Sequence, residues 1–118
     1  MIRVFIADDH AVVRRGLREI LSAASDVVVA GEAASAPEVA RLLASERFDV
    51  AVLDMNMPGT SGMELLAEVH RTYPSLPILV LTMYPEEQFG VHVLKAGAAG
   101  FLNKESAPEK LVEAVRKV

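Results

Sequence analysis

The stretch "VFIADDHAVV", Val4 to Val13, decides how the whole chain is to be read. It opens as an unbroken apolar run, Val4 to Ala7, with no polar residue alternating through it, as expected of a strand covered on both faces. Two carboxylates, Asp8 and Asp9, and the imidazole of His10 then stand side by side where the run ends. Like charges repel one another and resist burial, so such a pair needs a cap, a solvated turn or a counter-charge. Taken alone it reads more readily as a helix cap than as a site. His10 invites reading as a metal ligand or phosphodonor, but the start of the first helix is preferred.

Outward from this stretch, short apolar runs alternate with amphipathic ones. The runs that read as buried strands are Ile2–Ala7, Val27–Ala30, Asp49–Leu53, Pro77–Leu81 and Ala99–Leu102. Between them, helical spacing puts Val13, Leu17, Ile20, Leu21 and Ala24 on one face, and likewise Val39, Leu42 and Leu43. Met63, Leu66 and Val69 repeat the pattern, as do Leu111, Ala114, Val115 and Val118. The tetrapeptide Ser-Ala-Pro-Glu occurs at Ser35–Glu38 and again at Ser106–Glu109, and both copies fit a capping box with proline in the first turn. Pro85 with Glu86 and Glu87 opens a further helix that Gly97 ends, and Gly90 inside it costs roughly 1 kcal/mol relative to alanine. Strands alternating with helices throughout give an α/β domain with a parallel sheet.

At 118 residues the chain suits one domain of the usual ~100–200 residues. It contains no cysteine, which excludes disulfides and thiolate chemistry. No stretch approaches the ~20 apolar residues of a membrane span, and Val4–Ala7 is far short of a signal-peptide core, so a cytoplasmic location without membrane contact is expected. The net charge is −4, with basic residues scattered rather than gathered. Nucleic-acid affinity comes from neutralised phosphates, so DNA binding is expected only through an attached domain.

In open parallel sheets, ligands bind beyond the carboxyl ends of the strands. On that rim the sequence sets Asp8 and Asp9 after the first strand, Asp54 after the third, Thr82 after the fourth and Lys104 just past the fifth. Three crowded carboxylates are relieved by a hard divalent cation, and an oxygen-only donor set suits Mg²⁺ or Mn²⁺. Lys104 and Thr82 can each donate to a phosphoryl group, which favours phosphoryl transfer with a carboxylate nucleophile. Asp54, alone on the central strand and facing the acidic pair, is the natural acceptor.

The motifs "ADDH" (Ala7–His10), "LDMNMPGTSG" (Leu53–Gly62), "LT" (Leu81–Thr82) and "AGAAGFLNKES" (Ala96–Ser106) follow in order across the chain. Together they resemble the receiver domain of bacterial two-component response regulators. "IADDHAVVRRGL" with "GFLNKES" is most similar to the NarL/FixJ branch, whose members usually continue into a LuxR-type helix-turn-helix domain. The resemblance implies a flavodoxin-like, doubly wound five-stranded parallel sheet in the order 2-1-3-4-5, with helices on both faces, over residues 1–118. It implies that Asp54 is phosphorylated by a sensor histidine kinase. Asp9 matches the direct metal ligand, Asp8 the one acting largely through water, and Asp54 with the Asn56 backbone carbonyl completes the protein's share. Lys104 matches the lysine that contacts the phosphoryl oxygens, Thr82 the switch hydroxyl and Phe101 the aromatic that moves with it. The implied output is a shift of the surface formed by helix 4, strand 5 and helix 5, controlling dimerisation or an attached transcription-regulating domain. Glu105 stands where many receivers carry proline, which leaves the conformation of that loop open.

Two rival readings use the same residues. A phosphohydrolase of the haloacid-dehalogenase type also combines an aspartate nucleophile, Mg²⁺, a Thr/Ser and a Lys. It sets the nucleophile after the first strand with a second acid two residues on, where this chain has His10. A metal-free protein-interaction module of the same fold would leave the acids without a role. An enzyme with an external product is not expected; a domain that assists only its own phosphorylation and dephosphorylation is. Each residue also has a plainer reading: Thr82 as a cap, Lys104 as a surface charge, Phe101 as core, and Arg14, Arg15 and Arg18 as a solvated helix face. Their convergence on one rim favours the phosphoacceptor reading.

Overall fold

The computed structural model of the chain describes residues 1–55, 57, 61–82 and 86–118, with the backbone alone for 86–89. Among the described residues five strands and five helices alternate: β1 (Ile2–Ala7), α1 (Ala11–Ser22), β2 (Val27–Ala33), α2 (Ala36–Ser45), β3 (Val50–Asp54), α3 (Gly62–Thr72), β4 (Ile78–Thr82), α4 (Glu86–Lys95), β5 (Gly100–Asn103) and α5 (Ala107–Lys117). A single 3-10 turn, Lys104–Ser106, leads into α5. All neighbouring strands are parallel, in the order β2-β1-β3-β4-β5. The expected architecture is the observed one.

The absence of alternation in β1 has its cause in the two layers. Phe5 and Ala7 point into a core with Val39 and Leu43 of α2, Leu65, Leu66 and Val69 of α3, and Val93 of α4. Val4 and Ile6 point the other way, against Leu17 and Leu21 of α1 and Leu111 and Val115 of α5. Every residue of β3 and β4 is buried as well. Each apolar stripe expected on a helix meets one of these two faces.

Four local expectations are corrected. Strands β3, β4 and β5 each lie one residue later than the apolar runs suggest. Asp54 and Thr82 still pair in the sheet, with Leu81 and Asn103 respectively, so hydropathy loses them while the backbone ladder keeps them. Strand β2 runs to Ala33, because a register shift lets Phe5 pair with Gly31 after Val4 has paired with Val29. Gly31 fits there because a Cβ would lie 2.9 Å from the Phe48 ring. The two Ser-Ala-Pro-Glu copies also diverge. Ser35 is extended and accepts from the Glu38 N–H, and the Glu38 carboxylate reaches back to the Ala34 N–H at 3.2 Å. Ser106 is already helical (φ −88°, ψ −9°), because the 3-10 turn delivers the chain to α5, and its side chain makes no cap bond. Arg14, expected on a solvated face, is instead half-buried and pairs with Glu32 of β2, which the exposed Arg18 also reaches.

Helix α4 ends as expected. Gly97 has φ +117°, its N–H donates to the Leu94 carbonyl, and the Ala98 N–H donates to the Val93 carbonyl, a glycine-terminated Schellman arrangement. The expected start at Pro85 lies outside the described residues. Among the described residues, no helix is long and apolar enough to cross a membrane.

Candidate metal and phosphoacceptor site

The parallel sheet sends the carboxyl ends of β1, β3, β4 and β5 to one rim, and the sequence-selected side chains meet there. Asp8 is fully buried, while Asp54 and Thr82 are each 1% exposed. Burying two carboxylates in a 118-residue domain is costly without compensation. Part of the compensation is Lys104. Its Nζ lies 3.1 Å from Asp54 Oδ1 and 3.4 Å from Asp8 Oδ2, so one ammonium bridges both strands' carboxylates. Burial disfavours that charge, but the hydrogen bond and charge of Asp54, then those of Asp8, outweigh it and hold the lysine above its ordinary pKa.

The position of Lys104 follows from the turn after β5. Asn103 Oδ1 accepts from the Glu105 N–H at 2.9 Å and caps the 3-10 turn that Lys104 opens. A proline at 105 would have no N–H to give. The departure at Glu105 is therefore accommodated by a capped turn, with the lysine still on the rim.

The β1–α1 turn is fixed just as locally. Asp8 Oδ1 accepts from the His10 N–H at 2.8 Å and closes a turn ahead of α1, whose N-cap is His10, so neither acid caps the helix. Arg14 Nη1 donates to the Asp8 carbonyl at 2.6 Å, and Arg14 Nε lies 3.4 Å from Glu32 Oε1. This brace was hidden in sequence, because Glu32 sits beyond the expected end of β2. Asp9 leaves its side chain 29% exposed at the mouth of the site, with its Oδ1 2.9 Å from His10 Nδ1. Beneath Asp54, Gly62 lets the first turn of α3 press on the backbone of Met55, where a Cβ would come within 2.3 Å of the Met55 carbonyl oxygen.

Asp8, Asp9, His10 and Asp54 can each direct one ligand atom so that all lie within 4.8 Å of one another. Trans ligands of an octahedral Mg²⁺ are about 4.2 Å apart, so a small contraction closes the ring. Three carboxylates against one ammonium leave a formal charge of −2, which a divalent cation balances. Asp8 Oδ2 is buried, with the Lys104 ammonium 3.4 Å away. The donor set fits a hard divalent ion. His10, set aside in the sequence as a helix start, belongs to this cluster as well as to the N-cap of α1. Its signal in sequence was adjacency to the acidic pair, which the N-cap role also explains.

Phe101 is half-buried on β5 and packs against the core beside α4. Its ring occupies the space over Gly90, where a Cβ would meet ring carbon Cζ at 2.2 Å. Asn56 lies outside the described residues. Two concavities among the described residues lie elsewhere. One, of about 470 Å³, is lined by Val39, Leu65 and Tyr73 between α2 and α3; the other is at the opposite rim, near Arg3 and Phe48. Neither touches the acidic cluster.

Known proteins resemble the chain as a whole. The model of the response regulator receiver domain family matches residues 4–116. The chain is 37% identical over 118 residues to the response regulator UvrY of Escherichia coli, covering all of this chain and 54% of UvrY. It is 42% identical over 117 residues to the oxygen regulatory protein NreC of Staphylococcus epidermidis, covering 98% of this chain and 54% of NreC. The chain thus spans about half the length of these curated relatives. The isolated receiver domain of RcsB from Salmonella enterica serovar Typhimurium, solved in the presence of the phosphomimetic BeF3−, superposes with a TM-score of 0.90 at 33% identity, covering 98% of this chain and 86% of that one.

Proposed function

Since the chain belongs to the response regulator receiver domain family, of the NarL/FixJ type, we propose that Asp54 accepts a phosphoryl group from the phosphohistidine of a sensor kinase. The Asp54 oxygen attacks phosphorus, the P–N bond to the kinase imidazole breaks, and the carboxylate becomes a mixed anhydride. Lys104 carries the reading: its ammonium, 3.1 Å from Asp54 Oδ1, is held where a transferred phosphoryl group would need positive charge. Asp8 and Asp9, with the Asn56 carbonyl, would hold Mg²⁺, or Mn²⁺ in its place. A cation held there supplies charge neutralisation for the incoming phosphoryl oxygens. Thr82, buried at the end of β4, would donate its hydroxyl to the new group, and Phe101 on the adjacent strand would follow it. The consequence would be a changed α4–β5–α5 surface, altering dimerisation or contact with an output domain beyond residue 118 that binds DNA. Receiver domains are generally not classical enzymes, and this one would modify only itself.

Incubation with Mg²⁺ and acetyl phosphate separates this from its rivals. A stable mass gain of one phosphoryl group, lost in Asp54→Asn, is the expected result. Catalytic turnover of the donor would indicate a hydrolase. No reaction with either donor or kinase would leave only an interaction module.

A further inference from the structure

The phosphoacceptor reading gives roles to the carboxylates of the rim but not to the groups that aim Asp9 at it. Asp8 is held by the sheet, since its N–H donates to the Ala33 carbonyl of β2 at 3.0 Å. Asp9 lies beyond the last strand pairing, with its side chain 29% exposed. Its direction depends on the peptide that joins it to Asp8, because a planar peptide fixes the next Cα once its carbonyl is fixed. That carbonyl is held from α1. Arg14 Nη1 donates to it at 2.6 Å, while Arg14 Nε lies 3.4 Å from Glu32 Oε1. A guanidinium is a planar fork, so contacts at two of its nitrogens fix its orientation as well as its place. Glu32 is tied to the sheet in turn, paired with Ile6 two residues before Asp8, and its other oxygen accepts from Arg18 Nη1 at 2.6 Å. The Arg14 side chain is only 20% exposed. A positive charge beside a cation site is adverse by charge alone. The bond to the Asp8 carbonyl supplies the reason for an arginine there.

We propose that, with a divalent cation in the acidic cluster as proposed above, Arg14 is a positioning residue for that cation. It orients the Asp8–Asp9 peptide so that Asp9 presents its carboxylate, and Glu32 is the strand-borne anchor of the guanidinium. Charge and geometry forecast opposite signs for its removal. Deleting a nearby positive charge favours Mg²⁺ binding. Releasing the peptide disfavours it, since outer partners of metal ligands typically carry about 10–100-fold in affinity.

Calorimetric titration of the whole chain with Mg²⁺ distinguishes the two. Arg14→Met keeps an apolar stem and removes the fork, and it should lower Mg²⁺ affinity about tenfold although a positive charge is lost. Arg18→Met takes a charge from the same Glu32 without a bond to Asp8, and its Mg²⁺ affinity should equal or exceed that of the parent. Metal-free amide spectra that match the parent away from the β1–α1 turn separate the effect from unfolding. In the parent, separate NMR signals for the two Nη groups of Arg14 should report hindered rotation of the guanidinium, with no substitution needed. Unchanged or tighter Mg²⁺ binding by folded Arg14→Met, equal weakening by Arg18→Met, or a freely rotating Arg14 guanidinium would overturn the role and leave the acidic site standing. Absence of Mg²⁺ binding by the parent would overturn the metal reading itself, and this role with it.

Discussion

At the scale of single residues, Gly90 and Phe101 show how far propensity misleads. Helix propensity alone predicts that Gly90→Ala stabilises α4 by roughly 1 kcal/mol. The structure reverses the sign, because the new methyl would occupy the place of the Phe101 ring, itself wedged between α4 and the sheet. Gly90→Ala should therefore destabilise by about 1–3 kcal/mol in urea unfolding, as overpacking does. Adding Phe101→Leu, which removes the obstructing ring carbons, should recover part of the loss. Gly90 reads in sequence as a helix weakness because its neighbour in space comes from another strand. The acids, by contrast, were legible: Asp8, Asp9 and Asp54 each end an apolar run, and buried strands rarely end on charge without a reason. Lys104 was legible only in their company, since nothing near it in sequence separates it from a surface lysine. The Arg14–Glu32 brace was not legible, because the continuation of β2 past Gly31 depends on a register shift and on Phe48.

At the scale of elements, two identical tetrapeptides give a controlled comparison. Ser35→Ala removes a hydroxyl that caps α2 and should cost about 1 kcal/mol. Ser106→Ala removes one that caps nothing and should stay within about 0.5 kcal/mol of the parent. Equal effects in parallel urea titrations would contradict the difference in entry geometry. The C-terminal helix has its own tether. Arg116 makes a two-pronged bridge to Asp26 in the α1–β2 turn, at 2.9 and 2.7 Å. The side-chain hydrogen bond from Arg116 holds the Asp26 carboxyl below its ordinary value of 3.8. A group with a lowered folded pKa stabilises fully above its unfolded value, and the contribution is lost as pH falls through the folded one. Carboxyl NMR titration should find Asp26 below 3.8, returning upward in Arg116→Gln, with little change in stability near neutrality because the pair is half exposed.

For the molecule as a whole, the decisive quantity is the charge gathered at one rim. The formal excess of negative charge beside Lys104 means that metal binding should also stabilise the fold. At a hundred times the dissociation constant the gain is about 2.7 kcal/mol, provided the unfolded chain does not bind. Mg²⁺ should raise the urea midpoint of the parent protein, and Asp9→Asn should abolish most of that rise. The same rim has the energy to operate a switch. Driving a two-state equilibrium from mostly off to mostly on takes about 5.5 kcal/mol. Hydrogen bonds to a charged group are worth ~1.5–3 kcal/mol each, so new contacts from Thr82 and Lys104 together are of that order. Layering and strand order followed from the alternation of elements and the family pattern, because a parallel sheet covered on both faces leaves few alternatives. The most direct measurement is the amide NMR spectrum on adding Mg²⁺ and beryllofluoride, a mimic of the phosphoryl group. The expected result is movement of the Asp54, Thr82, Phe101 and Lys104 resonances, extending along α4, β5 and α5, and absent in Asp54→Asn. An unchanged spectrum, or an equal change in Asp54→Asn, would contradict the proposal that phosphorylation of Asp54 drives this surface.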